Sequence, residues 1–258
     1  MSFMETTISP FPYLPPEILD QVVDYLCDDT ITLKWCCLVS KSWVPRTRNH
    51  LFSRIKFDPQ VRFSIQLWKG LFPDPSISPA HHTRTLAISG LPTIKTANAI
   101  GRTWVHSFNQ IIELRLSNFV LDRGQTSLTQ LHGLSPTLKS LLLHDAHAPL
   151  PEIFNLICSF PLLKDLSLRY KGPESNIDGW DAPSTSPKFT GSLELDSGDV
   201  SITRGLLRLP DGLHFSKITA SSRIDGAESV VEVVSRCSGS LESLCIDYLP
   251  SSTFLQIL

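Results

Sequence analysis

SPTLKSLLL at residues 135–143, FPLLKDLSL at 160–168 and SGSLESLCI at 238–246 are three versions of one pattern. Its core, an apolar-x-apolar unit, occurs seven times: Leu86-Ala87-Ile88, Leu114-Arg115-Leu116, Leu141-Leu142-Leu143, Leu166-Ser167-Leu168, Leu193-Glu194-Leu195, Ile218-Thr219-Ala220 and Leu244-Cys245-Ile246. Successive first positions are 28, 27, 25, 27, 25 and 26 residues apart. In a strand the outer two residues of each unit share one face, because successive side chains point to opposite sides. Segments that fit helices lie between the units, at 97–110, 149–160 and 226–238. Strands returning in the same direction need crossover connections, so this alternation predicts an α/β chain with a parallel sheet. One unit cannot bury its own apolar face, whereas stacked units can.

The period resembles that of leucine-rich repeats. The resemblance implies an irregular solenoid with a curved parallel sheet, since the Asn or Cys expected after each strand is mostly missing. The face opposite the leucines would then be the concave surface. It carries Glu113, Arg115 and Ser117; Ser140, Leu142 and His144; Asp165, Ser167 and Arg169; Ser192, Glu194 and Asp196; Lys217, Thr219 and Ser221; and Ser243, Cys245 and Asp247. Both charge signs among small hydroxyls suit a polypeptide ligand better than a nucleic acid. Arg115, His144, Arg169, Glu194, Asp196 and Asp247 are the candidate target-binding residues, set against the plainer reading of a solvated sheet face. The run 171–187, KGPESNIDGWDAPSTSP, stands where a helix is expected and reads as a polar loop, either a binding insertion or a merely mobile one.

Upstream, residues 14–43 read LPPEILDQVVDYLCDDTITLKWCCLVSKSW. Ile18, Leu19, Val22, Val23 and Leu26 form a helical apolar stripe, introduced by Pro15, Pro16 and Glu17. Asp28-Asp29-Thr30 predicts a stop and an N-cap for a second helix through Leu38, and Ser40 or Ser42 a cap for a third that holds Pro45 in its first turn. Three short helices are too few for an independent core.

Leu14-Pro15, Glu17-Ile18, Leu26, Leu33, Leu38-Val39 and Trp43 resemble the F-box pattern in order and spacing. The likeness extends toward F-box proteins of mushroom-forming fungi through Trp43–Arg46 and His50–Ser53. It implies a module that docks on the Skp-type adaptor of a cullin-based ubiquitin ligase, with Leu14, Pro15, Ile18, Leu33, Val39 and Trp43 as the adaptor contacts. The domain reading is a disordered stretch 1–12, an F-box over 13–57, a linker helix and proline-rich hinge over 58–79, and a repeat solenoid over 80–258. The chain stops at SSTFLQIL as a further helix begins, which fits a truncated array or an end closed in another way. The resemblance implies a substrate-recognition subunit of such a ligase; the alternative is an interaction scaffold that promotes no ubiquitination.

The composition agrees with a globular binding protein. Of 258 residues 41% are hydrophobic, and 23 bases against 25 acids give a net charge of −2, with no attraction to nucleic acid or an anionic membrane. Acids crowd residues 1–29 and bases residues 30–57, which reads either as a basic end that meets an acidic adaptor surface or, the reading preferred here, as compensation between adjacent helices. Six cysteines at 27, 36, 37, 158, 237 and 245 lack CxxC spacing and read as reduced, mostly buried thiols. No signal peptide or transmembrane run is evident, so a cytoplasmic or nuclear location is expected. No GxSxG, P-loop, HExxH or dinucleotide fingerprint occurs, and the chain is not expected to be an enzyme or to need a cofactor. His144-Asp145-Ala146-His147 and His81-His82 are weak metal signals without a third ligand, and no metal is expected.

Overall fold

A computed structural model of the chain describes residues 15–58, 65–90, 107–120, 131, 134, 136–171, 177, 180–196, 200–222 and 227–248. The expected disorder over 1–12, most of the helix expected over 97–110, and the segment SSTFLQIL lie outside these residues. Two compact units divide at Ser53/Arg54. That division falls earlier than residue 57, and the proline stretch 73–79 lies inside the second unit.

The first unit holds three helices: α1, Pro16–Tyr25; α2, Thr30–Val39; and α3, Val44–Leu51. Pro16 opens α1 where its missing N–H breaks no bond, and Glu17 lies at the positive end of the dipole. Asp29 caps α2: Oδ1 accepts from the Ile31 and Thr32 amides at 3.1 and 3.0 Å. The expected serine cap of α3 is absent. Ser40 and Ser42 hydroxyls pair with each other at 2.8 Å, Trp43 occupies the cap position, and Pro45 falls in the first turn as expected.

Val23, Leu33, Cys36 and Thr47 are buried. The Asp24 carboxylate of α1 accepts from Arg46 Nε and Nη2 of α3 at 2.6 and 2.5 Å, and pairs with His50 Nε2 at 2.8 Å. The Arg46 hydrogen bonds, with help from His50, hold the Asp24 carboxyl down at about 2 from its usual 3.8. Compensation between adjacent helices therefore has a concrete form here.

In the second unit eight strands, all parallel, pair in chain order: β1, Arg54–Phe57; β2, Thr85–Ser89; β3, Glu113–Val120; β4, Ser140–His147; β5, Asp165–Tyr170; β6, Ser192–Asp196; β7, Lys217–Ser222; and β8, Ser243–Tyr248. The seven repeat units are β2 to β8, in register: Leu86 faces Leu114, then Leu141, Leu166, Leu193, Ile218 and Leu244. β1 is an eighth strand outside the seven repeat units: LFSRIKF at 51–57, within the expected F-box range, reads from its weak alternation as either a short strand or the end of the third helix, and Arg54–Phe57 is a strand of the sheet. Ile55 faces Leu86, 31 residues on, an interval outside the later range.

All these leucines are buried except Leu244, on the edge strand β8, which is 46% exposed. Described helices follow four of the strands: α4, Ile65–Leu71; α5, Leu150–Cys158; α6, Val200–Leu207; and α7, Ala227–Arg236. Sequence periodicity found three of them and missed α6. On α4, Trp68 is buried against Phe57 and Phe108, with ring centroids 5.9 and 6.0 Å away, so this expected linker is part of the second unit's core.

The same backbone device follows β2 and lies two residues before the ends of β3 and β4. Gly90, Asn118 and Asp145 have φ of 55, 52 and 53°, and all three residue types tolerate this left-handed region. The turn shifts the side-chain alternation by one, so Phe119 and Ala146 are buried directly after Asn118 and Asp145. Asn and Asp thus do recur near the ends of β3 and β4.

Where it is described, the polar run 171–187 is tied to the second unit. Ile177 is buried, Trp180 stacks on Phe154 at 5.2 Å, and Ser186 bonds Asp211.

Candidate functional site

Two surfaces, one in each unit, are candidates: an exposed apolar one in the first and a polar sheet face in the second. In the first unit Ile18, Val22 and Tyr25 follow i, i+4, i+7 spacing along α1 and are exposed. Ile31, Trp35 and Leu38 repeat that spacing along α2, and Val39 joins them. On α2 the buried pair Leu33 and Cys36 lies on the opposite side of the helix, so this helix is apolar on both faces. Single exposed apolar residues are ordinary, but two helical stripes of them mark an interaction surface.

The expected adaptor contacts are only partly assembled there. Pro15, Ile18 and Val39 are exposed, and Trp43 is half-buried. Leu33 is corrected: at 0% exposure it packs within the unit and has no surface to offer. Leu14 lies outside the described residues. Tyr25, Ile31, Trp35 and Leu38 were missed as exposed candidates, although the composition of α2, TITLKWCCLV with a single charge, carried the signal.

In the second unit the sheet face opposite the leucines runs in rows set by the strand register. One row is Lys56, Ala87, Arg115, Leu142, Ser167, Glu194, Thr219 and Cys245. His144 pairs in register with Ser117 on one side and Arg169 on the other. Four of the six candidates, His144, Arg169, Glu194 and Asp196, come together across β4, β5 and β6. Arg115 pairs with Glu113 of its own strand, and Asp247 lies on β8, separated from this group by β7.

The group is wired together. Arg169 Nε meets Asp196 Oδ2 at 2.5 Å, and Lys171 Nζ meets Asp145 Oδ1 at 2.8 Å. The Lys171 hydrogen bond holds the Asp145 carboxyl below its usual range, against a smaller opposing effect of desolvation. Ser167, only 7% exposed, donates to Glu194 Oε2 at 2.9 Å and lies 2.9 Å from His144 Nε2. A serine, a histidine and an acid are present, but in the wrong order for acyl transfer. The acid contacts the serine hydroxyl and not the far nitrogen of the imidazole, which is not the order of an acyl-transfer triad.

His81 and His82 stack on each other at 3.8 Å, with His81 Nδ1 on the Ser78 carbonyl oxygen. Among the described residues no group of three His, Cys, Asp or Glu side chains has metal-binding geometry. Of the cysteines only Cys36 and Cys237 are fully buried, while Cys27 and Cys245 are exposed, which corrects the expectation that most are buried. Among the described residues no helix is long and apolar enough to cross a membrane. A search of family models found no match to this chain, and a search of curated proteins found none that was significant.

Proposed function

We propose that the chain is the substrate-recognition subunit of a cullin-based, SCF-type ubiquitin ligase. In this reading the three-helix unit is an F-box that docks on a Skp-type adaptor, and the parallel ladder is an irregular, curved leucine-rich-repeat solenoid that captures a target. The observation that carries the reading is the pair of exposed apolar stripes on α1 and α2, on a segment whose sequence resembles the F-box. A small helical unit that leaves Tyr25, Trp35 and Leu38 in water gains stability when a partner covers them. The receptor performs no chemistry. It raises the effective concentration of a target near the charged ubiquitin carrier, as a tether does for any second binding event.

Co-purification of the full chain with a Skp-type adaptor and cullin, followed by measurement of target half-lives, tests this. The expected result is an adaptor complex that shortens the half-life of at least one captured protein. Adaptor binding with unchanged half-lives would favour a scaffold; no adaptor binding would overturn the proposal.

A further inference from the structure

We infer that His144 is a specificity-determining residue of the outward sheet face, held in one tautomer by Ser167 and Glu194 so that its Nδ1 accepts a hydrogen bond from the captured polypeptide. The inference rests on the receptor reading only for the ligand being a polypeptide.

The tautomer follows from counting protons. A carboxylate oxygen accepts, so in the 2.9 Å contact to Glu194 Oε2 the Ser167 hydroxyl donates. A hydroxyl has one proton. The 2.9 Å contact between Ser167 Oγ and His144 Nε2 therefore requires Nε2–H to donate to oxygen. A neutral imidazole carries one N–H, which leaves Nδ1 with a free lone pair. Ser167 is 7% exposed, so water competes poorly for either of its bonds.

The groups around the ring are occupied elsewhere. Arg169, its register neighbour on β5, pairs through Nε with Asp196. Asp145, the next residue, is engaged by Lys171. Ser117, the neighbour on β3, donates to Ser89 Oγ at 3.1 Å. His144 itself remains partly exposed. The face thus offers an oriented acceptor with no protein donor directed at it among the described residues, and an extended polypeptide brings such donors in its backbone N–H groups and its Lys, Arg or Asn side chains.

Histidine-selective 15N NMR on the full chain, with the His144 signal assigned from its loss in His144→Gln, reads the tautomer directly. At alkaline pH the Nε2–H form is expected in the wild type and a mixture of both forms in Ser167→Ala. A predominant Nδ1–H form, or no change in Ser167→Ala, overturns the relay. The recognition step is tested by proximity labelling with full-length chains. His144→Gln keeps a donor near the Nε2 position but removes the Nδ1 acceptor.

The proteins labelled by the wild type should fall about fivefold in His144→Gln, the size of one lost recognition hydrogen bond, while adaptor capture and melting temperature stay unchanged. An unchanged labelled set overturns the assignment of His144 to recognition. Loss of adaptor capture in the wild type itself would strike the receptor reading and leave the tautomer result standing.

Discussion

Asp24 joins two helices with three hydrogen bonds, and its depressed pKa turns that geometry into a pH dependence. The carboxyl titrates near 2 in the folded chain against an ordinary 3.8, so unfolding takes up a proton between those values. The contribution is complete above about pH 4 and is lost as the pH falls toward 2. Asp24 is 38% exposed, so solvent screening keeps the pair at about 1 kcal/mol or less. Asp24→Asn should lower the stability of the first unit by that amount at pH 7 and by little at pH 2, checked by denaturant titration at both. Thiols offer a second residue-scale check. Burial, reinforced by Asp211, pushes the Cys158 thiol up to about 11, and burial raises that of Cys237 as well. A maleimide should label exposed Cys27 and Cys245 rapidly in the native protein and Cys158 and Cys237 only on unfolding, followed by peptide mass mapping.

Among the elements, α2 and the pair α5 and α6 show different limits on substitution. α2 starts where Asp29 satisfies two amides, so Asp29→Ala should lower the denaturant midpoint of the first unit. α6 lies so close to α5 that a Cβ on Gly205 would come within 2.1 Å of Phe154 Cε2. Gly205→Ala gains helix propensity of about 1 kcal/mol, yet the clash should win and destabilise the second unit by about 1–3 kcal/mol, seen as a lower melting temperature. Periodicity alone could not have warned of this, because helix propensity at Gly205 points the other way. The same limit explains Leu33: a stripe on a helix announces burial, but whether a neighbouring helix or another protein supplies it depends on packing.

For the molecule as a whole, the ladder and the apolar helical face make separable demands. Leu141 is fully buried between β3 and β5, and Leu141→Ala should cost about 2–5 kcal/mol in unfolding of the second unit. Trp35 and Leu38 are 64 and 75% exposed, so replacing both by alanine should leave the fold intact and, on the proposed receptor reading, weaken adaptor binding by roughly thirtyfold or more per anchor. Calorimetry on the isolated chain and an adaptor titration separate the two effects. Unchanged adaptor affinity in the double variant would remove these residues from the docking surface.

By itself, the amino-acid sequence determined seven of the eight strands, their parallel order and the residues facing out, because a side-chain alternation of two and a repeat of 25–28 residues are local patterns that survive without contacts. It also determined α1, α5 and α7 and the Asp29 cap, through apolar spacing and hydrogen bonding within a few residues of chain. Only the tertiary structure decided that β1 joins the sheet, that Leu33 is sealed while Trp35 and Leu38 are not, and that His144, Ser167 and Glu194 share their protons. Those outcomes depend on residues 23 to 31 positions apart meeting across the sheet, and on which side of a helix that is apolar on both faces turns inward.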